Sequence, residues 1–265
     1  MIPTQHPQTS YIHPSAEIGQ NVTIEPFVVI HEDVIIGDNT WIGSHVVIYS
    51  GTRIGQNCKI YPGAVIGANP QDLKYQGEYT TTEIGNNTTI RECVTINKGT
   101  SANGKTVVGS NVLLMAYVHI AHDCIIGNNV ILANAVNFAG HIEVGDFAVV
   151  GGMCAAHQFT HIGQHVMISG GSLIRKDVPP FVRAGREPIR FEGINTVGLK
   201  RRAVSTETIK QLQEIYKILY MSGLNVSQAV NLLSEWPQTP ELISITDFIN
   251  QSKRGIMKSY YGPSY

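Results

Sequence analysis

Large apolar residues recur every six residues over most of this chain. Isoleucine occupies every sixth position from Ile12 to Ile66, and the register resumes over Ile84–Ile174 with valine, leucine and phenylalanine among the isoleucines. Among all the positions six residues apart from Ile12 to Ile174, only Asp72 and Glu78 are polar. A period of six matches neither the 3.6-residue turn of a helix nor the two-residue alternation of one long strand.

Small residues form a second column, four positions after each large one. Short flat strands joined by tight corners explain both columns, because the large residue fills the interior and the small residue fits beside a corner where glycine is also tolerated. The column contains Val22, Val28, Val34, Thr40, Val46, Thr52, Cys58, Ala64, Val112, Val118, Cys124, Val130 and Val136.

This pattern resembles the hexapeptide-repeat proteins, whose left-handed parallel β-helix has three strands and roughly 18 residues per coil. We therefore expect a mainly β protein with this β-helix; its handedness comes from the resemblance. Cys58, Cys124 and Cys154 fall in the small-residue column, which predicts buried filler and not catalytic thiols.

Two segments interrupt the repeat. Residues 67–83 and 97–107 lack the apolar column, although the register continues on either side of each. Long loops without regular structure in a compact domain are usually functional. We expect both to project from the β-helix as excursion loops.

The repeat ends after Ile174, and Pro179-Pro180 marks a boundary. The pattern predicts a β-helical domain over residues 1–178 and a small α-helical domain over 179–265.

Helical spacing appears in this second region. Ser205 is a candidate N-cap for a helix that ends at Ser222-Gly223. A second helix is predicted over roughly 226–236. A third begins at Thr239-Pro240, read as N-cap and first helical residue.

Composition limits the function. The chain has 265 residues, of which 43% are hydrophobic and 15% charged, so disorder is excluded as its main state. A net charge of −1 argues against nucleic-acid binding. No apolar run reaches the roughly 18 residues that a membrane span needs. Residues 1–19 lack the basic and apolar regions of a signal peptide, so we expect a cytoplasmic protein.

The charge is unevenly distributed. Residues 1–174 carry 6 basic and 12 acidic side chains, whereas residues 175–265 carry 13 basic and 8 acidic ones. The C-terminal region is thus a candidate docking face for an acidic partner.

Histidines cluster within the repeat. His122 and His141 are 19 residues apart, and His141 and His157 are 16 apart, so all three are expected near one edge of the β-helix on successive coils. His119 lies just before His122.

Two chemistries fit this cluster. In the first, His122 acts in acid–base catalysis and Asp123 orients it, although adjacent residues of a flat strand face opposite sides and a corner would be needed to join them. In the second, the histidines bind a metal. Stacked histidines hold zinc in the gamma-class carbonic anhydrases, which also have this fold.

Five motifs in one order resemble the UDP-N-acetylglucosamine acyltransferase family, which begins lipid A biosynthesis. The resemblance covers essentially the whole chain. The motifs are QDLKY at 71–75, HIAHD at 119–123, AGH at 139–141, HQF at 157–159 and GLKRR at 198–202.

The resemblance implies transfer of a (3R)-3-hydroxyacyl group from acyl carrier protein to the glucosamine 3-position of UDP-N-acetylglucosamine. A 3-hydroxyl is expected there, and a 3-amino acceptor stays open. A thioester donor is already activated, so the enzyme need only deprotonate and place the acceptor and stabilise an oxyanion. No metal and no cofactor is expected.

The resemblance also assigns roles. His122 is the general base, Asp123 orients it, and the Gly140 N–H stabilises the oxyanion. Gly170 matches the position that sets acyl-chain length; because glycine cannot block a groove, a long chain is expected. The positions that match substrate-binding residues are Gln71, Asp72, Lys74, His119, His141, His157, Gln158, Asn195, Arg201 and Arg202.

The family forms homotrimers with sites between subunits, so a homotrimer is expected. One position departs from the pattern: Val197 replaces a residue that is acidic in some members. One polar contact to the nucleotide is therefore missing from the expected set.

Three other functions compete with this one. The N-acyltransferase that acts later in the same pathway has a uridine-binding domain before its repeats, but here the repeats begin at Ile12. A non-catalytic hexapeptide scaffold would not need the histidine cluster. A gamma-carbonic-anhydrase-like metal hydratase would leave the loops and the basic C-terminal region unexplained.

Overall fold

A computed structural model describes residues 7–259 of the chain. The outer ends of the two predicted domains, residues 1–6 and 260–265, lie outside the described residues. The described part contains 28 short strands and four helices.

Most strands are two residues long and follow the six-residue period. In chain order they are β1 (Tyr11–Ile12), β2 (Glu17–Ile18), β3 (Thr23–Ile24), β4 (Val29–Ile30), β5 (Ile35–Ile36), β6 (Trp41–Ile42), β7 (Val47–Ile48), β8 (Thr52–Ile54), β9 (Lys59–Ile60), β10 (Val65–Ala68), β11 (Thr81–Ile84), β12 (Thr89–Ile90), β13 (Thr95–Asn97), β14 (Lys105–Val108), β15 (Leu113–Leu114), β16 (His119–Ile120), β17 (Ile125–Ile126), β18 (Ile131–Leu132), β19 (Asn137–Phe138), β20 (Glu143–Val144), β21 (Val149–Val150), β22 (Ala155–Ala156), β23 (His161–Ile162), β24 (Met167–Ile168), β25 (Leu173–Ile174), β26 (Val182–Gly185), β27 (Arg190–Ile194) and β28 (Lys258–Ser259).

Every third strand belongs to the same parallel sheet. Sheet 1 runs from β1 through β4 and β7 to β25, sheet 2 from β2 to β23, and sheet 3 begins at β3. Tyr11 pairs with Val29 and Ile12 with Ile30, so successive coils stack 18 residues apart. The fold class expected from the sequence, a mainly β chain of stacked hexapeptide coils followed by short helices, is confirmed.

The isoleucine column forms the core. From Ile24 to Ile66 its members are at most 3% exposed. Full burial of one such side chain contributes roughly 1.5–3 kcal/mol relative to exposure. Repeated along the chain, this burial favours one register over all others, because a shift of one residue would turn the isoleucines outward.

Residues with positive φ make the corners and define three edges. The edge between sheets 1 and 2, called the histidine edge, has Asp33, Gly51, Asp123, His141 and Phe159 at these positions. The edge between sheets 2 and 3, called the asparagine edge, has Asn21, Asn39, Asn57, Asn87, Asn111 and Asn129, followed by Phe147, His165 and Phe181. The third edge has Phe27, His45, Gly63, Cys93, Tyr117, Ala135, Met153 and Gly171.

Two loops leave the β-helix at the histidine edge. The first excursion, residues 69–80, connects β10 of sheet 1 to β11 of sheet 2, and the second excursion, residues 98–104, connects β13 to β14. The two loops contact each other, since the Ser101 N–H donates to Glu78 Oε1 (3.2 Å). Tyr79 Oη donates to Asp33 Oδ2 (2.9 Å) and ties the first excursion to an earlier coil.

The C-terminal region contains four helices, α1 (Thr196–Arg201), α2 (Thr206–Met221), α3 (Val226–Ser234) and α4 (Pro240–Gln251). The predicted N-caps are confirmed: Ser205 Oγ accepts from Thr208 N, and Thr239 caps α4. The second predicted helix ends two residues earlier than expected, at Ser234. Within residues 7–259, no helix is long and apolar enough to cross a membrane.

Three strands and one helix of this region were not predicted. β26 continues sheet 3 beside β24, β27 pairs with it antiparallel, and β28 pairs with β27. Helix α1 is only six residues long and buries a single side chain, Leu199. Such short elements have no usable periodicity, and packing against the last coil decides their structure.

Candidate active site

His122 and Asp123 form a hydrogen-bonded pair on the histidine edge. His122 Nδ1 lies 2.7 Å from Asp123 Oδ2. Asp123 has a φ of +61°, so the chain turns a corner here and the two adjacent side chains no longer face opposite sides. The corner that was expected to let Asp123 reach the His122 ring is therefore present. His122 keeps 12% of its side chain exposed, whereas Asp123 is fully buried.

The second excursion surrounds the Asp123 carboxylate. Thr100 donates to it twice, from its N–H to Oδ1 (2.9 Å) and from its hydroxyl to Oδ2 (2.7 Å). The Asn103 N–H also points at Oδ1 (3.3 Å). On the backbone, Asp123 N donates to Thr106 Oγ1 (2.8 Å).

The sequence did not identify these three residues. Their only signal in the sequence was their position, since Thr100, Asn103 and Thr106 all lie in the 97–107 segment that interrupts the repeat.

These contacts keep Asp123 ionised. Burial alone would raise the pKa of this carboxyl, but hydrogen bonds from Thr100 and His122 outweigh it and lower the pKa below its usual value. An ionised carboxylate can only accept hydrogen bonds, so Nδ1 of His122 carries the proton and Nε2 presents its lone pair.

His141 lies one coil above the pair. Its ring meets the His122 ring edge-on at 5.1 Å between centroids, and its Nε2 lies 3.7 Å from Asp123 Oδ2. The other face of His141 stacks on Phe159 at 4.4 Å. Burial is the main cause that lowers the pKa of His141, against the opposing charges of Asp123 and Asp72. His141 is therefore expected to be neutral at pH 7.

Gly140 touches the face of His122. A methyl group on this residue would lie 2.5 Å from His122 Cε1 and 2.7 Å from Nε2, closer than atoms can approach. The Gly140 carbonyl accepts from Phe159 N (3.2 Å), but its N–H has no acceptor among the described residues. Glycine here brings a free donor close to the imidazole.

His122, Asp123 and His141 are also close enough to hold a metal ion, with ligand atoms within 4.8 Å of one another. Tetrahedral zinc ligands at about 2.1 Å from the ion would be separated by roughly 3.4 Å. His122 and Asp123 instead share a direct 2.7 Å hydrogen bond, and the Thr100 hydroxyl already uses the same carboxylate oxygen. The geometry favours an acid–base pair.

The remaining histidines of the cluster lie along sheet 1 and the same edge. His119 Nδ1 is 2.7 Å from Thr95 Oγ1, and burial lowers its pKa. His157 Nδ1 lies 3.2 Å from the Gln158 carbonyl, which also accepts from Arg254 Nη1 (3.2 Å).

The QDLKY residues form a turn in the first excursion. Lys74 N donates to Asp72 Oδ1 (3.0 Å), and the side chains of Gln71 and Lys74 are exposed. The Asp72 charge raises the pKa of His141, against the larger effect of burial, so this loop lies within electrostatic range of the His122–Asp123 pair.

Other predicted site residues lie on different edges of the same chain. Asn195 is 7% exposed; it caps α1 through Gly198 N (3.1 Å) and donates to the carbonyl of His165 (2.9 Å), on the asparagine edge. The guanidinium of Arg202 lies 4.3 Å from the centre of the Phe147 ring on that edge, and Arg201 is exposed.

Gly170 lies beside the third edge, where a methyl group would be 3.0 Å from the Gly152 carbonyl oxygen. Within one chain, therefore, Asn195, Arg202 and Gly170 lie on other edges than the His122–Asp123 pair.

The thiols of the small-residue column are buried, as predicted. Burial raises the pKa of Cys58 and Cys154, and that of Cys124 to about 12. A thiolate nucleophile is not favoured at these positions.

A histidine–carboxylate pair beside a free backbone N–H, on an edge of a hexapeptide β-helix, defines an acyltransferase of the hexapeptide class. The hexapeptide family model matches residues 33–68 and 105–140. A model described as UDP N-acetylglucosamine O-acyltransferase, domain 2, matches residues 177–257.

Similar proteins cover nearly the whole length of the chain. The acyl-(acyl-carrier-protein)–UDP-N-acetylglucosamine O-acyltransferase of Thiobacillus denitrificans is 46% identical over 96% of this chain and 99% of its own. This chain belongs to that acyltransferase family, as the motifs predicted.

Solved structures of this family have the same fold as this chain. The UDP-N-acetylglucosamine acyltransferase of Bacteroides fragilis has a TM-score of 0.94 at 50% identity, covering 96% of this chain and 100% of its own. The enzyme of Francisella novicida has a TM-score of 0.93 at 39% identity, covering 96% and 94%.

Proposed function

We propose that this protein transfers a (3R)-3-hydroxyacyl group from acyl carrier protein to the glucosamine 3-hydroxyl of UDP-N-acetylglucosamine, the first step of lipid A biosynthesis, in the cytoplasm. The observation that carries the proposal is the 2.7 Å hydrogen bond between His122 and a buried, ionised Asp123. The substrates are inferred from the names of the relatives in the same family.

In this mechanism His122 Nε2 removes the proton of the sugar hydroxyl. The hydroxyl oxygen attacks the thioester carbonyl and forms the new C–O bond. The C–S bond then breaks, and the proton on Nε2 passes to the leaving sulfur. Asp123 holds the ring in the required tautomer and stabilises the imidazolium that forms in between.

The Gly140 N–H stabilises the oxyanion of the tetrahedral intermediate. Two features support this role: the N–H has no acceptor among the described residues, and the His122 ring lies directly against Gly140. One such donor contributes roughly 100- to 1,000-fold in rate when it is aimed at the developing charge.

Substrate recognition extends along the histidine edge. Asp72, Lys74 and Gln71 of the first excursion bind the sugar nucleotide, with Lys74 facing phosphate charge. The coils on either side of His122 contribute the remaining contacts, from His119, His141, His157 and Gln158. Val197 removes one polar contact that some relatives have.

We also propose that the active enzyme is a homotrimer with sites between subunits. In one chain the catalytic pair lies on the histidine edge, Asn195 and Arg202 lie at the asparagine edge, and Gly170 lies at the third edge. Adjacent edges are separated by about six residues, which span at most roughly 20 Å at 3.3 Å per residue. Packing of one chain's edge against another's brings these groups together.

The proposed division of work follows the predicted domains. Residues 1–178 carry the chemistry, and residues 179–265, with Arg201 and Arg202, supply positive charge for the acidic carrier protein. Gly170 leaves the acyl groove open, so a chain of about 14 carbons or more is accepted.

A transfer assay tests the proposal. Purified protein is mixed with UDP-N-acetylglucosamine and 3-hydroxyacyl carrier proteins of increasing chain length. His122→Ala is expected to lower the rate by roughly 100- to 10,000-fold. His45→Ala is the matched control, because His45 also lies at a corner and stacks on an aromatic ring, 5.0 Å from Phe27, but on the third edge.

The outcomes separate the hypotheses. If the enzyme accepts every donor but prefers the 10-carbon one, only the proposal that Gly170 leaves the acyl groove open is wrong. If product forms only with a 3-amino sugar, the proposed 3-hydroxyl acceptor is wrong. If His122→Ala preserves transfer, His122 is not the general base. If a chelator abolishes transfer, the metal mechanism replaces the acid–base mechanism.

A further inference from the structure

The second excursion folds back onto a residue more than one coil away. Thr100 precedes Asp123 by 23 residues, and its side chain is the only one besides His122 that hydrogen-bonds the Asp123 carboxylate within residues 7–259. An uninterrupted coil would have only a corner at this place. The inserted residues put a hydroxyl and two backbone N–H groups there instead.

We propose that Thr100 is a positioning residue for the His122–Asp123 pair, which sets the rotation of the carboxylate and thereby the orientation of the catalytic imidazole. This inference rests on the proposed function, in which His122 is the general base.

The hydrogen bonds fix both carboxylate oxygens. Oδ1 accepts from the N–H groups of Thr100 (2.9 Å) and Asn103 (3.3 Å), and Oδ2 is shared by His122 Nδ1 and the Thr100 hydroxyl, each at 2.7 Å. The hydroxyl itself accepts from Ala102 N (3.3 Å), so its proton points at Asp123. Rotation of the carboxylate would break several of these bonds at once.

Among the described residues, no neighbouring cation holds the Asp123 carboxylate in place of Thr100. The titratable groups that face Asp123 are His122, His141 at 3.7 Å, and two groups whose pKa the Asp123 charge raises, the buried Cys124 thiol and Glu78 of the first excursion. No Lys or Arg side chain pairs with Asp123 in the described part of the chain. Neutral donors, with Thr100 contributing two, therefore hold the buried anion.

The test compares three variants with the wild-type enzyme. Thr100→Val removes the hydroxyl and keeps the side-chain shape, and Thr100→Ser keeps the hydroxyl. Thr88→Val is the matched control: the Thr88 hydroxyl is also buried, donates to the Gly109 carbonyl (2.8 Å) and accepts from Val112 N (3.2 Å), but it touches no site residue.

We expect Thr100→Val to lower kcat about tenfold, the factor for one hydrogen bond to a charged group, with KM unchanged for both substrates. The acid limb of the kcat profile should move to higher pH, because a carboxylate that has lost one donor holds the imidazolium more strongly. Thr100→Ser should keep most of the activity and the wild-type profile. Thr88→Val should leave kcat unchanged.

Thermal unfolding of each variant separates positioning from folding. If Thr100→Val unfolds at a much lower temperature than Thr88→Val, Thr100→Ala replaces it, and its kcat is compared below that temperature. Equal kcat and pH profiles for Thr100→Val and the wild type overturn the inference, while the wild-type transfer reaction still stands. Absence of transfer by the wild-type enzyme instead refutes the proposed function.

Discussion

The histidine edge and the asparagine edge have the same backbone but different side chains. Asn57, Asn87, Asn111 and Asn129 have a φ of +57°, and Asp123 on the histidine edge has +61°. Asparagine tolerates the left-handed conformation well, so at the asparagine edge the residue type follows from the backbone alone. Asp123 and His141 occupy the same conformation on the histidine edge, where aspartate and histidine are also tolerated, but their side chains contact each other and His122 instead of only closing the corner.

The amide that precedes each corner residue also differs. On the asparagine edge, the next coil satisfies it: Gln56 N donates to Asn86 Oδ1 (2.9 Å), and Ser110 N donates to Asn128 Oδ1 (2.9 Å). On the histidine edge, the corresponding N–H of Gly140 has no acceptor among the described residues. At these corners the preceding N–H is hydrogen-bonded on the asparagine edge, whereas within residues 7–259 the N–H of Gly140 is not.

The third edge shows that departure from asparagine is not sufficient. Phe27, Tyr117 and Met153 hold its corners and are more than half exposed, but they are apolar and no excursion leaves the coil there. Buried charge together with inserted loops distinguishes the histidine edge.

Exchange of the corner residues tests this comparison most strongly. Asp123→Asn should keep the turn, yet lower kcat by roughly 100- to 10,000-fold, because an amide does not hold the imidazolium. The reciprocal Asn129→Asp should leave kcat unchanged. Steady-state transfer rates with thermal unfolding as a folding control measure both, and a comparable loss in the two variants would contradict the distinction between the edges.

A methyl group added at Gly140 is the next test. Gly140→Ala should lower kcat by about 10- to 100-fold, because the new methyl group would push the His122 ring out of its position beside the acceptor hydroxyl. Gly43→Ala is the control, because a methyl group there is crowded at 2.9 Å by Pro62 Cδ, near the third edge. The kcat of Gly140→Ala should fall well below that of Gly43→Ala. A Gly140→Ala enzyme with wild-type kcat would refute the idea that glycine is needed for close contact with His122.

The conformational part of the comparison concerns stability. Asn129→Ala should lower the free energy of unfolding by about 1 kcal/mol, because alanine is strained at positive φ. Ala135 already has a φ of +58° on the third edge, so Ala135→Asn should raise it by a similar amount. Denaturant unfolding measures both changes, and neither variant should alter kcat.

The smallest expected effect is a pH dependence of stability. Burial lowers the pKa of His165 on the asparagine edge, and of His119 and His141. The unfolded chain takes up these protons near pH 6.5 and the folded chain only below it, so stability should fall as pH drops through and below that value.

His165→Asn places asparagine at a corner that suits it, with φ at +56°, and should reduce this pH dependence. Denaturant midpoints at pH 7.5 and 5.5 give the comparison. An unchanged pH dependence in the variant would show that His165 titrates alike in both states.

The sequence by itself determined the β-helix, because each hexapeptide contains one large residue that packs inward and one small residue that fits beside a corner. The repeat also places His122, His141 and His157 on one edge, since their separations are close to one 18-residue coil. The helix caps of α2 and α4 were readable for the same reason, as local hydrogen bonds between residues three apart.

Only the tertiary structure decided what surrounds the His122–Asp123 pair. The contact of Thr100 with Asp123 depends on how a non-repeating loop folds across a coil, and no periodic pattern encodes it. The same holds for Asn195 on His165 and Arg202 on Phe147, which depend on how the C-terminal region packs on the last coils. Periodic burial specifies the coils locally, whereas these contacts arise between segments distant in sequence, where only the assembled surface determines which groups meet.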